Sequence, residues 1–200
     1  RIDKIIAPSE FMRDKLIEGG FPSEQVVHMQ NFAKDEVLES ARDSQDRTDW
    51  GSPYLLYFGR LSKEKGVDVL VEAASALPDG WRLVVAGDGP DRKALEQAAG
   101  ESPVSDHIEF VGFKLGDELK RLISGAVFSV ASARWRENMP YSIVESMAYG
   151  TPVVGTCIGG IPELVSEGQT GFLAEPGDAA SLVDGIARAA HTARDYTAYE

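Results

Sequence analysis

Glu137 and Glu145 stand with seven residues between them in the run from Ser132 to Val154, and the residues around them say what two carboxylates there could do. Pro140 suits the first position of a helix, where its missing N–H would have had no intrahelical partner, and Gly150 followed by Pro152 marks the end. A helix of about ten residues is expected, carrying Glu145 inside it and leaving Glu137 just before its mouth. Ile143 and Met147, with Val144 and Ala148, make the apolar stripe of that helix. Glu145 lies about 200° round from Ile143, at ~100° per residue, so core packing does not explain it. Its Cα–Cβ bond leans toward the helix N-terminus, back toward Glu137. Two acceptors thus flank a ring of free N–H donors. Such a ring favours phosphate, by direct hydrogen bonds and by the helix dipole, while carboxylates on either side suit hydroxyl-rich groups. The implied ligand is a phosphate with a polyol on each side; the bland alternative is two ordinary surface acids.

A second cluster occupies Gly59-Arg60-Leu-Ser-Lys63-Glu-Lys65-Gly66, directly after the apolar run Pro53 to Phe58. Glycines at both ends let the backbone approach a ligand, and Arg60 and Lys65 bring cations to the carboxyl end of a strand. A diphosphate is the natural guest, with Arg as a planar fork and Lys as a point charge. The alternative is cations that merely solvate a loop.

The two stretches together resemble retaining GT-B glycosyltransferases of the large family 4 type. Their E-x7-E signature, roughly E-G-x-P-x-x-x-x-E-A-M-A-x-G-x-P-V-V, is matched at Glu137, Pro140, Glu145, Met147, Ala148, Gly150, Pro152, Val153 and Val154, and G-R-L-x-x-x-K-G is matched from Gly59 to Gly66. The resemblance implies that Glu137 binds the donor sugar's hydroxyls, Glu145 the ribose, and Arg60 and Lys65, beside Gly59, the diphosphate of a UDP- or GDP-sugar. Those cations would stabilise the leaving charge without a metal, and no Asp-x-Asp motif occurs. No further cofactor is expected. Asn138 replaces the family's Gly; Asn tolerates positive φ better than most residues, but its amide could alter sugar preference. Pro140 supplies no N–H, which leaves the Met139 and Tyr141 amides as donors to sugar and phosphate.

Other turns carry less. Gly87-Asp-Gly89-Pro90 follows a strand, but Arg92 occupies the third glycine position of a dinucleotide fingerprint, so a structural turn is expected. In Val111-Gly112-Phe113-Lys114 the family analogy makes Phe113 and Lys114 nucleobase contacts, against a core Phe and a solvated Lys. The glycines of Gly159-Gly160-Ile-Pro-Glu163 read as backbone-shape residues.

The chain has 200 residues, 43% of them hydrophobic, enough to bury a full core. Thirty-two acids against 20 bases leave a formal charge of −12, which argues against nucleic acid as a partner because that affinity rests on cationic neutralisation. Cys157, the single cysteine, excludes an intrachain disulfide and fits a reducing compartment, the cytoplasm; burial as a small hydrophobe is expected. His28, His107 and His191 are too far apart in sequence for metal-ligand spacing. No stretch approaches the ~18 apolar residues of a membrane helix, so a soluble chain is expected, with any membrane contact made through another domain.

From residue 53 onward β-branched runs alternate with helical patterns, predicting a doubly wound, Rossmann-like, parallel six-stranded sheet, the C-terminal half of a GT-B fold. Strands are expected at 53–58, 81–86, 107–111, 126–131, 152–156 and 171–174, and the last helix from Asp178 to about Ala190. Residues 1–32 read as strand, helix and strand, a remnant of the preceding acceptor domain; 33–52 read as a linker and 53–200 as the nucleotide-sugar-binding domain. Arg1-Ile2-Asp3 is not an initiator, and a piece of something longer is expected. Without the missing N-terminal domain, the apolar edges at Asp3–Ala7 and Gln25–Met29 predict self-association or disorder of residues 1–32, and no transfer by the fragment alone. Two rival functions are a binding or regulatory module that keeps donor affinity without transfer, and a dinucleotide oxidoreductase.

Overall fold

The computed structural model describes residues 2–33, 37 and 51–196, with side chains through 192. Between Tyr54 and Tyr196 strands and helices alternate, except that only a 3-10 turn separates the seventh strand from the eighth: β3 (Tyr54–Phe58), α2 (Val67–Ala73), β4 (Arg82–Ala86), α3 (Arg92–Glu101), β5 (Ile108–Gly112), α4 (Gly116–Gly125), β6 (Phe128–Ala131), α5 (Tyr141–Ala148), β7 (Val153–Thr156), β8 (Gly171–Ala174) and α6 (Ala179–Tyr196). Before them come β1 (Ile5–Ala7), α1 (Glu10–Glu18) and β2 (Val26–His28). The six later strands form one parallel sheet in the order β5-β4-β3-β6-β7-β8, the doubly wound arrangement expected from the alternating pattern.

Every residue of β3 is buried, as a central strand covered on both faces requires. Leu55 and Tyr57 point into a core completed by Val67, Leu70 and Ala73 of α2, Leu95 of α3, and Leu182 and Ile186 of α6. Tyr54, Leu56 and Phe58 point the other way, against Leu122 and Ile123 of α4. The buried Tyr54 hydroxyl is satisfied by donating to the Leu122 carbonyl at 2.7 Å. Ile143 of α5 sits with Val153, Ile161 and Val165 in a third cluster.

The topology has one functional consequence. Strands β3 and β6 are neighbours, yet the chain leaves them toward opposite faces, β3 into α2 and β6 into α5. Such a switch point opens a crevice at the carboxyl edge of the sheet. Both charged clusters singled out in the sequence lie in the loops that bound it.

Residues 2–33 fold as strand, helix and strand, the order read from the sequence. Their β1 and β2 pair in parallel as a separate two-stranded sheet. Ser9 caps α1, its Oγ accepting from the Met12 amide at 3.0 Å, and Gly19 closes it. Ile6, Val27, Met29 and Phe32 remain exposed, the apolar surface anticipated for this segment. The expected linker at 33–52 lies almost wholly outside the described residues.

Candidate functional site

The β3 loop begins with Tyr57, whose hydroxyl donates to the Arg60 carbonyl at 2.8 Å and so ties the loop to the strand that launches it. Leu61 is buried, and its amide donates to the Asp88 carbonyl at 2.9 Å while the Asp91 amide returns to Leu61 at 3.1 Å. The Gly87–Pro90 turn is thus a structural buttress of this loop, as the sequence suggested. A 3-10 turn over Lys63–Lys65 presents Lys65 and ends at Gly66 in the left-handed region, φ 64°. Gly66 is demanded twice over, because a Cβ there would also lie 2.1 Å from the Ser132 carbonyl.

The β6 loop is fastened to this turn. Ser132 Oγ donates to the Lys65 carbonyl at 2.9 Å, and the Arg134 amide donates to the Glu64 carbonyl at 2.9 Å. Arg134 also pairs with Asp68 at 2.8 Å. The fastening brings Lys65 Nζ to 2.5 Å from Glu137 Oε1, across the switch point and 72 residues apart in sequence, with both side chains largely buried. Arg60 remains exposed on the same loop. The hydrogen bond from Ser62 holds the Glu64 carboxyl below the usual range, and the Arg60 charge adds a smaller push the same way. Burial pushes the Tyr57 phenol well up, and the Glu137 carboxylate adds to that rise.

Beyond Glu137 the chain runs through half-buried Asn138 and buried Met139 into α5. Pro140 is not the first helical residue: its ψ of 128° is extended, so it caps the helix, and α5 spans eight residues from Tyr141. A proline's fixed φ suits both positions, and only ψ separates them. The Pro140 carbonyl accepts from Ile143 at 3.1 Å, but no side chain caps the helix mouth. The first amides of α5, Tyr141 included, have no intrahelical acceptor. Glu145 lies half-buried inside α5, on a face apart from the Ile143 stripe.

Other expectations fall out unevenly. Phe113 is 66% exposed, which excludes the core alternative, and it leaves β5 at the same edge of the sheet, where the Gly87 amide donates to Gly112 at 2.8 Å. Lys114 pairs with Glu118 at 3.4 Å. Cys157, expected to be buried, is exposed, because it stands where the chain has left β7 and turned out of the sheet. Among the described residues no group of three or more His, Cys, Asp or Glu is placed to hold a metal ion. Sequence reasoning passed over Tyr57 and Ser132, which set the loops, and Glu163, whose carboxylate accepts from the Glu10 and Phe11 amides at 2.8 Å each. Only Glu163 had a local signal, at the end of the Gly159–Glu163 turn.

The fold has counterparts among known proteins. The chain is 31% identical over 176 residues to the alpha-D-kanosaminyltransferase of Streptomyces kanamyceticus, covering 84% of this chain and 45% of that one. Against the sulfoquinovosyl transferase SQD2 of Arabidopsis thaliana it is 31% identical over 192 residues, 90% of this chain and 36% of the relative. It therefore spans about half the length, or less, of the curated relatives it matches. Among solved structures, the sucrose-phosphate synthase of Thermosynechococcus elongatus superposes with a TM-score of 0.82 at 26% identity, covering 96% of this chain and 50% of that one. The Anabaena protein Alr3699/HepE, solved in complex with UDP and glucose, shares the fold with a TM-score of 0.80 at 24% identity, covering 96% of this chain and 54% of that one. The family model described as glycosyl transferases group 1 matches residues 41–199, most of the chain, and with these likenesses it places the chain in the glycosyl transferases group 1 family, on a GT-B fold.

Proposed function

We propose that this chain carries the donor-binding half of a retaining glycosyltransferase that uses a UDP- or GDP-sugar. The observation that supports this most is the approach of Lys65 Nζ to Glu137 Oε1 at 2.5 Å across the switch point. It brings a cation suited to a diphosphate and a carboxylate suited to sugar hydroxyls to one spot, a short loop ahead of α5 in the chain. In this reading the diphosphate lies between Arg60 with Lys65 and the α5 N-terminus, where both the cations and the helix dipole favour it. Glu145 takes the ribose, Phe113 and Lys114 the base, and Gly59 allows close approach. Lys65 leaves Glu137 for the phosphates, and Glu137 turns to the donor hydroxyls together with the Met139 amide. As the sugar departs, Arg60 and Lys65 stabilise the charge growing on the diphosphate without a metal. Residues 1–32 then belong to the end of the acceptor domain, 33–52 to the linker and 53–200 to the donor domain, working in the cytoplasm.

Calorimetry of the 200-residue chain against UDP, GDP and NAD tests the reading. One of the two diphosphates should bind and NAD should not. Arg60→Ala with Lys65→Ala should weaken the bound nucleotide by about 3 to 6 kcal/mol, from two charge-assisted contacts of ~1.5 to 3 kcal/mol each. Unchanged affinity in the double variant removes the diphosphate assignment.

A further inference from the structure

Three consecutive carbonyls of the Glu137–Met139 loop are each engaged from behind. The Glu137 carbonyl accepts from the Gly160 amide at 2.7 Å. The Asn138 carbonyl rests on Gly160 so closely that a Cβ there would lie 1.7 Å from it. The Met139 carbonyl accepts from Asn31 Nδ2 at 2.8 Å, and the Asn31 amide reaches Met139 Sδ at 3.1 Å. All three supports lead to residues 2–33. Asn31 belongs to that segment, and Gly160 packs on Ser9, whose Cβ would be 2.8 Å from a Cβ added at Gly160.

Glu163 completes the fastening. Its two carboxylate oxygens accept from the Glu10 and Phe11 amides, at 2.8 Å each, donors that the first turn of α1 leaves without intrahelical partners. Helix α1 is thereby clamped to the Gly159–Glu163 turn, and the Glu137 loop is gripped between that turn and Asn31. None of these contacts touches Arg60, Lys65 or Glu145.

We infer that Asn31 and Glu163 are positioning residues of the donor-sugar loop: through Met139 and Gly160 they fix where Glu137 and the Met139 amide stand, and so set affinity for the sugar of a nucleotide sugar and not for its nucleotide. This rests on the donor-binding reading above. By linkage, a bound sugar must tighten the grip on α1 by the same factor that the grip tightens the sugar.

The test compares UDP with UDP-glucose, and GDP with GDP-mannose, by calorimetry on the 200-residue chain. Asn31→Ala and the near-isosteric Asn31→Asp should each weaken the nucleotide sugar about fivefold, one neutral hydrogen bond's worth, and Glu163→Gln about tenfold or more, one charge-assisted bond's worth, while the bare nucleotide stays within about twofold. Glu163→Asp, which keeps the charge, should recover part of the loss. Hydrogen exchange supplies a readout on the unaltered chain: the nucleotide sugar should slow exchange at the Glu10 and Phe11 amides, and the bare nucleotide should not. Equal losses for both ligands, or equal slowing by both, would make the contacts merely structural and overturn the inference alone. No nucleotide binding by the unaltered chain would overturn the donor reading and the inference with it.

Discussion

Replacing Glu137 by Gln isolates the division of labour between the two loops. The amide keeps the shape of the side chain and one acceptor oxygen but removes the charge that Lys65 Nζ meets at 2.5 Å. With 30% and 20% of the two side chains exposed, the ion pair is partly screened and is worth about 1 kcal/mol. A bare nucleotide must draw Lys65 away from that pair, so Glu137→Gln should leave UDP or GDP affinity unchanged or raise it by up to about fivefold. A nucleotide sugar gains the same release of Lys65 but loses charge-assisted hydrogen bonds from its hydroxyls, ~1.5 to 3 kcal/mol. The Lys65 contribution is common to both ligands and cancels in their ratio. That ratio should therefore fall by about 10- to 150-fold, reporting the hydroxyl contacts alone. Calorimetry of nucleotide and nucleotide sugar on the same preparation reads it directly. Equal losses for the two ligands would show that Glu137 serves the fold or the phosphate, and the assignment to the sugar would be withdrawn.

Glu145→Gln should act oppositely, weakening bare nucleotide and nucleotide sugar alike by about tenfold, measured by the same titrations. Gly66→Ala should lower stability by more than the ~1 to 3 kcal/mol of a strained left-handed residue, because its Cβ would also meet the Ser132 carbonyl at 2.1 Å; denaturant unfolding checks this, and a loss below ~1 kcal/mol would mean that the two loops are not held together there. Burial raises the folded-state pKa of Tyr54, and burial followed by Glu137 and Glu64 that of Tyr57. Groups raised in this way stabilise the fold fully below their unfolded value of about 10 and lose that contribution as pH climbs toward the folded one. Alkaline unfolding should thus steepen above pH ~10, and less so in Tyr54→Phe, Tyr57→Phe chains; identical profiles would contradict the burial argument.

Much of this architecture is legible in the residues themselves. Continuous runs such as Tyr54–Phe58 and Arg82–Ala86 can satisfy a sheet only when helices cover both faces, and the helices between them carry the matching apolar stripes. The cations at 60 and 65 and the carboxylates at 137 and 145 follow from their spacing around turns and a helix mouth. What spacing does not contain is which loops meet. Lys65 finds Glu137 only because β3 and β6 become neighbours, and Glu163 finds α1 across more than 150 residues, with no periodic signal linking them. Pro140 shows a subtler limit, since its fixed φ serves helix cap and first turn equally. Cys157 looked like a core residue by type, yet its place one step past β7 decided its exposure.

The central claim is that a nucleotide diphosphate lies in the crevice between the β3 and β6 loops. A nitrogen–proton NMR titration of the chain with UDP, and separately with GDP, addresses it at the level of single amides. The account predicts saturable shifts concentrated at Gly59, Arg60, Lys65 and Tyr141, abolished in the Arg60→Ala, Lys65→Ala chain. Shifts confined to the Gly87–Arg92 turn, or scattered with no saturation, would contradict it.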